Sequence, residues 1–524
     1  MQAQCITYAR VWLGFRIWLV FLLQISVFMG VFTIKVANAT PSTITIAIST
    51  PISTFTPQSY GANAMLAQNL IYEGLTKLDK SGNIIPSLAT SWSISPDGKT
   101  YRFSLRKGVR FSNGEAFDAR AVLLNFTAIL QNKQAHSWVG LIHAIDSIKE
   151  LDSHTIALTL KYPYALTLNE LAFVRPFRFH APSELQKDPA KALPIGTGAY
   201  MLDSSSPSAV TFRKNPYYTD RQSGKVPYFD TIVARIIFDP SAKLAALKAK
   251  QVDVLYGQDL ISLDMFNAIA QGRDTSLRAY ISAPIFTIAL ALNPRAKALE
   301  STSARKALMQ ALDSSALVSS VYGNLASPAT SLYVKNTSLL QALRFPALPA
   351  HQCDPAQPIA QSAPLELIFI SNNPSQKKLA QIIQAQAKTC GISIAIKGIE
   401  PSAYANRLIA NAFELAFTQT WGAPYEPLNH LYSMQEQGHI EYGLLQSLSQ
   451  KDAIYTHINN AIRATNEPQL HRDLNAALDL LAQSYILLPL AHKCNVAIAR
   501  SGIKGIEENM GVLVAELPID KWYQ

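Results

Sequence analysis

Hydrophobic and polar residues either alternate or recur at helical spacing in short segments along the whole chain. STITIAIST, which begins at Ser42, alternates with a period of two and predicts a first β-strand. NAMLAQNLIYEGLTKLDKSG, which begins at Asn63, carries apolar residues at helical spacing and ends in a Lys-Ser-Gly turn. We therefore predict that the chain opens with a strand followed by a helix.

The next segments have the pattern of short antiparallel strands. Two turn signals, PDG at 96–98 and SNG at 112–114, separate alternating stretches, and this spacing predicts a β-meander. Asp118 precedes an apolar-periodic segment and is expected to cap the N-terminus of that helix. IKELDSHTIALTLKYPY, from Ile148, predicts a further hairpin.

Strands and helices alternate through the second half. Residues 365–399 have the pattern strand, helix, strand, which implies a βαβ unit with parallel pairing. Residues 304–323 predict one helix that stops at its final glycine, and residues 470–485 predict an amphipathic helix followed by a strand. The Pro-, Ala- and Ser-rich residues 324–364 predict a long surface loop. The pattern indicates an α/β fold with added antiparallel β segments and two or three lobes.

The N-terminal residues have the composition of an export signal. Arg10 and Arg16 precede an apolar run over residues 17–32, and ANA at 37–39 places small residues at positions −3 and −1 of a cleavage site. The run is shorter than the roughly 20 apolar residues that span a bilayer comfortably. We predict a cleaved signal peptide over residues 1–39 and a periplasmic mature protein. An uncleaved membrane anchor is the alternative.

Composition narrows the class of protein. The 524 residues are 48% hydrophobic and 16% charged, which is typical of a globular chain long enough for two or more domains. The formal net charge is +10, and loss of the signal peptide, with three basic and no acidic residues, leaves about +7. The basic residues are scattered rather than grouped, which argues against nucleic acid as a partner.

Three cysteines remain after the predicted cleavage: Cys353, Cys390 and Cys494. They show no CxxC spacing, and in an oxidising compartment they allow one disulfide and one free thiol. The spacing does not select the pair.

The sequence contains no motif of a known catalytic frame. A GxSxG elbow, a Walker loop and an HExxH pair are all missing, and GTGAY at 196–200 matches a phosphate-binding loop only weakly because the third glycine is absent. We therefore expect a binding protein and not an enzyme, without catalytic residues or a catalytic cofactor.

One segment has an unusual composition for either a core helix or a loop. TQTWGAPYEPLNHLYSMQEQGHIEYG, residues 418–443, is broken by turn residues and yet rich in aromatic side chains. Glycine and proline lie beside Trp421 and Tyr425, which is typical of a loop that lines a ligand site.

Several blocks of the chain resemble, in order, the family 5 extracellular solute-binding proteins, which serve ABC importers of peptides, nickel and opines. They are SPDGKTYRFSLRKGVRFSNGEAFDARAV from 95, LPIGTGAYML from 193, RKNPYY from 213 and LALNPRAKALESTSARKALMQALD from 290. Three other blocks resemble the nickel-binding members: FVRPFRFHAPSEL from 173, DVLYGQDLISLDMF from 253 and TWGAPYEP from 420. The resemblance runs from about Thr43 to Asp520.

The resemblance implies a two-lobed clamshell fold of the larger peptide- and nickel-binding type, with mixed sheets and an additional β-rich subdomain. On this basis lobe 1 spans residues 40–285, with the subdomain at about 83–190. Lobe 2 spans residues 286–493, and residues 494–524 return to lobe 1. The ligand is expected in the cleft between the lobes.

The same resemblance implies a function. The protein would capture nickel as a complex with a small organic metallophore and deliver it to an inner-membrane ABC permease and ATPase, acting as a monomer. Carried over residue by residue, the metallophore contacts are Arg175, Trp138, Trp421, Tyr425, Met65 and Tyr60, and the single protein ligand of the metal is His439. The guanidinium of Arg175 would bind a carboxylate, and the aromatic rings would line the pocket. Gly438 would give the backbone the conformational freedom to place the imidazole of His439 in the pocket.

The chain departs from the family pattern at two positions near this site. Lys133 and Ala135 stand where the pattern has arginines. Lys133 keeps the positive charge but not the planar guanidinium with its directed donors, and Ala135 has no charge. The identity of the metallophore and the number of its carboxylates therefore stay open, as does selectivity against cobalt.

Arg178 and His430 are expected to serve the fold, and three histidines keep no assigned role: His136, His180 and His492. Two other functions stay open from the sequence, a di- or oligopeptide-binding protein of the same fold and an exported hydrolase.

Overall fold

The structure is a computed structural model that describes residues 42–61, 63–188, 191–257, 261–272, 274–353, 359–511 and 517–524. The predicted signal peptide lies outside these residues. The chain divides into Met1–Ser42 and Thr43–Gln524, and the description below concerns the second unit. Within the described ranges, no helix has the length and apolar character needed to cross a membrane.

The strands come in chain order and are numbered accordingly. They are β1 (Thr43–Ile48), β2 (Thr76–Leu78), β3 (Ile84–Pro86), β4 (Ala89–Ile94), β5 (Thr100–Leu105), β6 (Ile145–Asp152), β7 (Thr155–Leu160), β8 (Tyr200–Ser205), β9 (Ala209–Lys214), β10 (Thr231–Ile236), β11 (Val254–Tyr256), β12 (Leu277–Leu292), β13 (Ala326–Pro328), β14 (Leu365–Ile370), β15 (Ile394–Ile399), β16 (Leu415–Gln419) and β17 (Leu487–Arg500).

The helices are interspersed among these strands. They are α1 (Ala64–Ile71), α2 (Ala119–Gln131), α3 (Gly140–Ala144), α4 (Thr167–Leu171), α5 (Pro182–Leu185), α6 (Pro240–Lys248), α7 (Leu263–Ala270), α8 (Thr302–Gln310), α9 (Ser314–Val321), α10 (Ser338–Ala342), α11 (Pro374–Thr389), α12 (Pro401–Ile409), α13 (Leu428–Ser433), α14 (Ile440–Leu445), α15 (Lys451–Ile462), α16 (Glu467–Ser484) and α17 (Ile506–Asn509). Short 3₁₀ turns include Lys133–His136.

A large mixed sheet runs through the unit in the order β15-β14-β16-β12-β17-β11-β1-β10-β9-β8, with β13 added beside β17. Its centre is the antiparallel pair β12 and β17, aligned from Leu277 opposite Arg500 to Ala291 opposite Leu487. Nearly every residue of β17 is buried, which explains why its sequence does not alternate, although the buried residues include the polar His492, Lys493 and Asn495.

The hairpins predicted near the N-terminus form a separate sheet with strand order β4-β5-β7-β6. Its pairs are antiparallel, as the turn signals predicted. The predicted cap is also confirmed, because the Asp118 side chain accepts a hydrogen bond of 2.9 Å from the backbone N–H of Ala121 at the start of α2.

The predicted βαβ unit is confirmed as well. Strands β14 and β15 pair in parallel over their whole length, and α11 connects them. Strand β14 also pairs in parallel with β16, while β16 pairs antiparallel with β12. The end of β16 is thus held by the sheet at the point where the residue 418–443 segment begins.

Two predicted helices were wrong in extent. The first ends at Ile71, because Tyr72 takes an extended backbone and residues 76–78 pair with β3 as a strand. The helix predicted over 304–323 is two helices, α8 and α9. Asp313 interrupts it, since its carboxylate accepts from the backbone N–H groups of Ser315 and Ala316 and so begins a new helix.

The prediction of a long surface loop over residues 324–364 was wrong for its first part, up to residue 343. It contains β13 and α10, and Tyr333 and Leu340 are fully buried. These residues join the apolar core that also includes residues of α13, α15 and α16. The partly exposed residues that follow, 344–352, do have the irregular backbone that their proline and alanine predicted.

Two features left open by the sequence have structural answers. Cys353 and Cys390 form the disulfide, and Cys494 is a buried thiol.

The GTG residues 196–198 pack against α1, where a Cβ at Gly198 would lie 2.5 Å from the Leu70 carbonyl oxygen. This glycine therefore allows close backbone packing, and nothing in its contacts requires a phosphate.

Candidate ligand-binding site

A cavity of about 480 Å³ brings together distant segments of the chain. It is lined by Tyr60, Met65, Trp138, Arg175, Phe286, Gln419, Thr420, Trp421, Tyr425 and His439. All seven residues named from the sequence as ligand contacts are in this lining. Three other lining residues, Phe286, Gln419 and Thr420, were not predicted from the sequence as ligand contacts. They lie in or next to β12 and β16.

The sheet positions one side of the cavity. Ile288 of β12 lies opposite Gln419 of β16, and beyond this pair the Thr420 backbone N–H donates to the Thr287 carbonyl at 2.8 Å. The Thr287 N–H donates in return to the Thr420 hydroxyl at 3.0 Å. These bonds anchor the loop that carries Trp421 at the edge of the sheet.

Aromatic rings from both halves of the chain form the walls. Trp138 stacks on Phe173 with 6.2 Å between centroids, and Tyr425 lies 4.6 Å from the same phenyl ring. Trp421 meets Trp138 edge to face at 5.9 Å. Such a wall excludes water from a ligand and strengthens the electrostatic interactions made inside it.

Arg175 supplies a cation to the cavity. One guanidinium nitrogen, Nη1, donates to the Ser59 carbonyl at 3.2 Å, and the guanidinium carbon lies 4.6 Å from the centre of the Tyr60 ring. Burial lowers the pKa of Arg175, but a guanidinium still remains charged at neutral pH. The groups whose charge acts on it in the described part of the chain are Tyr425 and Tyr60, and no carboxylate is among them. Arg175 is thus available to an anionic group of a ligand.

Arg178, three residues further along the same motif, has the fold role expected for it. Its side chain donates to the carbonyl oxygens of Phe173, Tyr72 and Ala172 at 2.8, 3.2 and 3.3 Å. It is buried and does not line the cavity. Of the two arginines of RPFRF, Arg175 therefore faces the cavity, and Arg178 hydrogen-bonds to backbone carbonyl groups.

His439 stands at the N-cap position of α14, with its side chain half-buried at the cavity. The preceding Gly438 has φ +97°, a conformation that favours glycine and turns the chain toward this position. The imidazole centroid lies 5.4 Å from that of Trp421. Burial lowers the pKa of His439, so the ring is neutral at pH 7 and can offer a nitrogen lone pair.

A buried polar cluster supports this loop from behind. His430 Nδ1 is hydrogen-bonded to the Tyr333 hydroxyl at 2.8 Å, and its Nε2 lies 3.5 Å from a Glu441 carboxylate oxygen. Glu426 accepts from the Gly422 N–H at 2.6 Å, and burial raises its pKa to about 7. His430 is therefore structural, as expected, whereas the roles of Glu426 and Tyr333 had no local signal.

The two departures from the family pattern lie outside the cavity. Lys133 and Ala135 are exposed on the 3₁₀ turn and do not contribute to the lining. His136 on the same turn is fully buried, and its Nδ1 is 2.7 Å from the Tyr60 hydroxyl. His180 and His492 are hydrogen-bonded in the interior and do not line the cavity.

The cavity has few atoms that could ligate a metal. Over the described ranges, no group of three or more His, Cys, Asp or Glu side chains is arranged to hold a metal ion. The lining offers one imidazole, His439, and one thioether, Met65. A metal in this cavity would therefore need most of its ligands from another molecule.

The fold and this cavity define a protein that encloses a small ligand, and the comparisons with known proteins agree. The sequence model of the bacterial extracellular solute-binding proteins, family 5, matches residues 83–442. The chain belongs to this family. Its members are solute-binding components of transporters, a class that binds ligands and does not catalyse reactions.

Named relatives include both metal- and peptide-binding proteins. The nickel-binding periplasmic protein of Escherichia coli is 32% identical over 509 residues, which cover 92% of this chain and 95% of that protein. The structure of NikA from Brucella suis in complex with Fe(III)-EDTA has a TM-score of 0.85 and 30% identity over 92% of this chain and 99% of that one. The probable di/tripeptide-binding protein 5 of Pseudomonas aeruginosa is 26% identical over 82% of this chain and 85% of that protein.

The expected α/β fold with mixed sheets is confirmed by the family match and by the similarity to the NikA structure.

Proposed function

We propose that this protein captures nickel as a complex with a small organic metallophore and delivers it, as the periplasmic binding component, to an ABC permease and ATPase in the inner membrane. One observation carries the proposal. A single guanidinium, Arg175, and a single imidazole, His439, line the same aromatic cavity. The similarity to the nickel-binding periplasmic protein of E. coli, and to NikA of Brucella suis in complex with Fe(III)-EDTA, supports it.

The small number of metal-ligating side chains in the cavity favours a chelate over a bare ion. Ni(II) takes four to six nitrogen and oxygen donors, and imidazole is a suitable one. The lining supplies one imidazole, so a chelator must provide most of the coordination sphere. A site with only one protein ligand also releases its cargo more readily than a closed four-ligand site, as a transport protein requires.

The charged side chains of the cavity lining favour a chelate that carries a carboxylate. Arg175 is the cation of the lining, which contains no Asp or Glu side chain. Its planar fork matches a carboxylate in a partly dry cavity, where such a charged pair is stronger than a neutral hydrogen bond. A chelate with net negative charge would therefore leave the least uncompensated charge in the cavity.

The proposal includes the lobe boundaries predicted from the sequence, with lobe 1 at 40–285 and 494–524 and lobe 2 at 286–493. Arg175 then belongs to one lobe and His439 to the other, and a chelate that contacts both stabilises the closed form. The permease would recognise the closed protein, which acts as a monomer.

Peptide binding is the second candidate function, because the Pseudomonas aeruginosa relative carries that name. A peptide presents a free ammonium group, which a carboxylate of the binding protein usually pairs. The ten lining residues provide no carboxylate for this purpose. This absence favours the metal chelate over the peptide.

The two functions separate in one titration. Metal-free protein is titrated with Ni(II) alone, with Ni(II) and L-histidine, and with Ni(II) and nitrilotriacetate, while the intrinsic tryptophan fluorescence, to which Trp138 and Trp421 contribute, is recorded. We expect quenching with at least one chelate and little response to Ni(II) alone. Micromolar binding of dipeptides with no response to any nickel chelate would overturn the proposal.

A further inference from the structure

A buried carboxyl group lies behind the aromatic wall of the cavity. Glu170, in α4, is fully buried and is not one of the lining residues. One carboxylate oxygen accepts from the Tyr164 hydroxyl at 2.6 Å and from the Asn429 side-chain amide. The other accepts from the Leu141 backbone N–H at 2.7 Å. These four residues, which we call the Glu170 cluster, place one ionisable group among three donors in the interior of the protein.

Two of the donors are close in sequence to residues of the cavity. Leu141 follows Trp138 by three positions, and Asn429 follows Tyr425 by four. Each donor therefore belongs to the same short segment as a lining residue. Through these two hydrogen bonds, the Glu170 carboxyl connects the segments that carry Trp138 and Tyr425.

Glu170 belongs to a third segment of the site. It precedes Arg175 by five positions, and its backbone carbonyl accepts from the Phe173 N–H at 3.2 Å. The rings of Trp138 and Tyr425 both contact the ring of Phe173. The same residue thus joins the Arg175 segment to the other two, on the side of the wall that faces away from the ligand.

The Glu170 cluster crosses the predicted boundary between the lobes. Asn429, on α13, lies in predicted lobe 2, and the other three members lie in the β-rich subdomain of lobe 1. A second contact crosses the same boundary, because the Ala165 N–H donates to the Ile462 carbonyl at 2.8 Å. Apolar residues of α13 share one core with residues of the subdomain. Side chains of both predicted lobes therefore keep water away from Glu170.

Burial has an electrostatic consequence for this carboxyl. It raises the pKa of Glu170 to about 7, because the carboxylate loses its hydration, and the hydrogen bonds of the cluster offset this only in part. The titratable groups that face the carboxyl are the hydroxyls of Tyr162, Tyr164 and Tyr432, whose pKa values burial also raises. The Arg463 guanidinium lies beyond them, 4.9 Å from the centre of the Tyr162 ring. Glu170 therefore changes its charge near neutral pH among groups that are themselves uncharged.

We propose that the Glu170 cluster is complete only when the two lobes close on a ligand, so that ligand capture takes up a proton at this carboxyl. With the lobes apart, α13 and its Asn429 no longer cover Glu170, and water reaches the carboxylate. Glu170 is thus a positioning residue, which touches no ligand and aligns three segments whose side chains do. The inference rests on the proposed capture of a ligand between the lobes, and it adds proton coupling to that site.

The sign of the coupling follows from the two states. Hydration in the open form returns the pKa of Glu170 toward its ordinary value of 4.5, from about 7 in the closed form. Between these values the closed form holds the proton and the open form does not, so a falling pH favours closure. From pH 8 to pH 6 this linkage should raise the affinity about tenfold.

A variant that cannot titrate isolates this contribution. Glu170→Gln keeps the shape and an acceptor oxygen of the side chain. The affinity of the full-length mature protein for nickel nitrilotriacetate is measured by calorimetry at pH 6, 7 and 8 in the wild type and the variant. Protonation of the chelate and of His439 affects both proteins alike and cancels in the ratio of their Kd values. Between pH 6 and pH 8 the wild-type Kd should rise about tenfold relative to that of the variant. A constant ratio would overturn the inference.

Proton uptake gives a second readout at a single pH. Titrations at pH 7 in two buffers of different ionisation enthalpy count the protons bound with the ligand. The wild type should take up about half a proton more than Glu170→Gln, because a group with a pKa near 7 is half protonated at that pH. Glu150→Gln changes an exposed glutamate of β6 in the same subdomain and should behave as the wild type. Equal uptake in the wild type and Glu170→Gln would contradict the coupling.

Asn429→Leu tests the Glu170 cluster from the other lobe and keeps the test possible if Glu170→Gln does not fold. It removes a donor that favours the charged carboxyl. Affinity should therefore fall more at pH 8 than at pH 6, and the dependence on pH should become steeper than in the wild type. A shallower dependence would argue against the cross-lobe contact.

The choice of ligand separates this inference from the proposed function. If no nickel chelate binds, the same measurements are made with the dipeptide Ala-Ala. A pH-dependent ratio with Ala-Ala alone would overturn the nickel proposal and support the proton coupling, whereas nickel binding at a constant ratio would do the reverse. Failure of both ligands to bind would overturn both, because the coupling requires a ligand that closes the lobes.

Discussion

The hydroxyl of Tyr425 lies 3.9 Å from the sulfur of Met65, although 360 positions separate the two residues in the chain. Both side chains line the cavity. The site is thus assembled from segments that meet only in the folded protein. Substitutions of its exposed side chains should consequently change affinity more than they change folding.

His439→Ala should weaken binding of nickel chelates at least about tenfold, because it removes the proposed protein ligand of the metal. The side chain is half-buried and has no side-chain hydrogen bond in the described part of the structure, so the melting temperature should change little. Calorimetric titration and thermal unfolding check the two expectations. His143→Ala serves as the matched control, and equal affinities in the two variants would refute the ligand role.

Arg175→Ala should reduce the affinity for chelates that carry carboxylate by about ten- to hundredfold, and that for cationic chelates much less. The reason is that Arg175 faces the cavity with no described carboxylate partner. Arg175→Lys should recover only part of the loss, since it keeps the charge but not the fork. Titrations with chelates of different charge measure the contrast, and similar losses for all of them would argue against the carboxylate role.

Arg178→Ala should act on stability instead. Its three hydrogen bonds go to buried backbone carbonyl groups, which the substitution leaves without this donor. We expect a loss of at least about 3 kcal/mol in the free energy of unfolding, measured by urea denaturation. A stable variant with weakened binding would mean that the assignments of the two arginines are reversed.

His492 should make stability depend on pH. Burial lowers its pKa from 6.5 to about 4, because the charged ring would lose its hydration. The neutral ring is hydrogen-bonded to the Thr287 hydroxyl and accepts from the Thr330 N–H. Between these two pKa values the unfolded chain binds the proton and the folded protein does not, so stability falls as the pH falls from 6.5 toward 4. The full contribution is on the order of 3 kcal/mol.

The measurement for His492 is a comparison of two curves. The free energy of urea unfolding is followed from pH 7.5 to pH 4.5 in the wild type and in His492→Gln, which cannot titrate. As the pH falls, the stability of the wild type should decline relative to that of His492→Gln. The comparison is needed because Glu170 and Glu426, whose pKa values burial raises to about 7, act in the opposite direction in both proteins. Parallel curves would exclude a contribution from His492.

The disulfide should contribute stability without affecting the ligand. Cys353 and Cys390 are 37 positions apart, and a loop of this length implies about 3–4 kcal/mol from restriction of the unfolded chain. Neither cysteine lines the cavity. The double variant Cys353→Ala, Cys390→Ala should therefore unfold at lower urea concentration while its chelate affinity stays within about twofold of the wild type. A large loss of affinity would show that the bridge also supports the site.

Local elements were predictable wherever a local interaction creates them. The alternating strands, the turns at 96–98 and 112–114, the Asp118 cap and the parallel βαβ unit all depend on residues close together in sequence. The helix over 304–323 was predicted in one piece because its apolar spacing continues through Asp313, whose capping competes with that spacing. Apolar pattern alone does not settle such a competition.

The cavity residues were predictable by resemblance, not by pattern. No local property distinguishes Arg175 from Arg178, yet one faces the cavity and the other binds backbone carbonyl groups. For the same reason His136 received no role from the sequence, and Glu426 was not singled out. Their roles come from contacts with partners whose positions depend on the fold.

The sequence by itself determined the order of strands and helices, the polar turns and the scattered charge that argues against nucleic acid, because period, capping and turn chemistry act over a few residues. Only the tertiary structure decided which cysteines pair, which arginine faces the cavity and which histidine stands behind Tyr60. Each of these depends on side chains tens to hundreds of residues apart, and their distances are set by the packing of the sheets and not by local backbone preference.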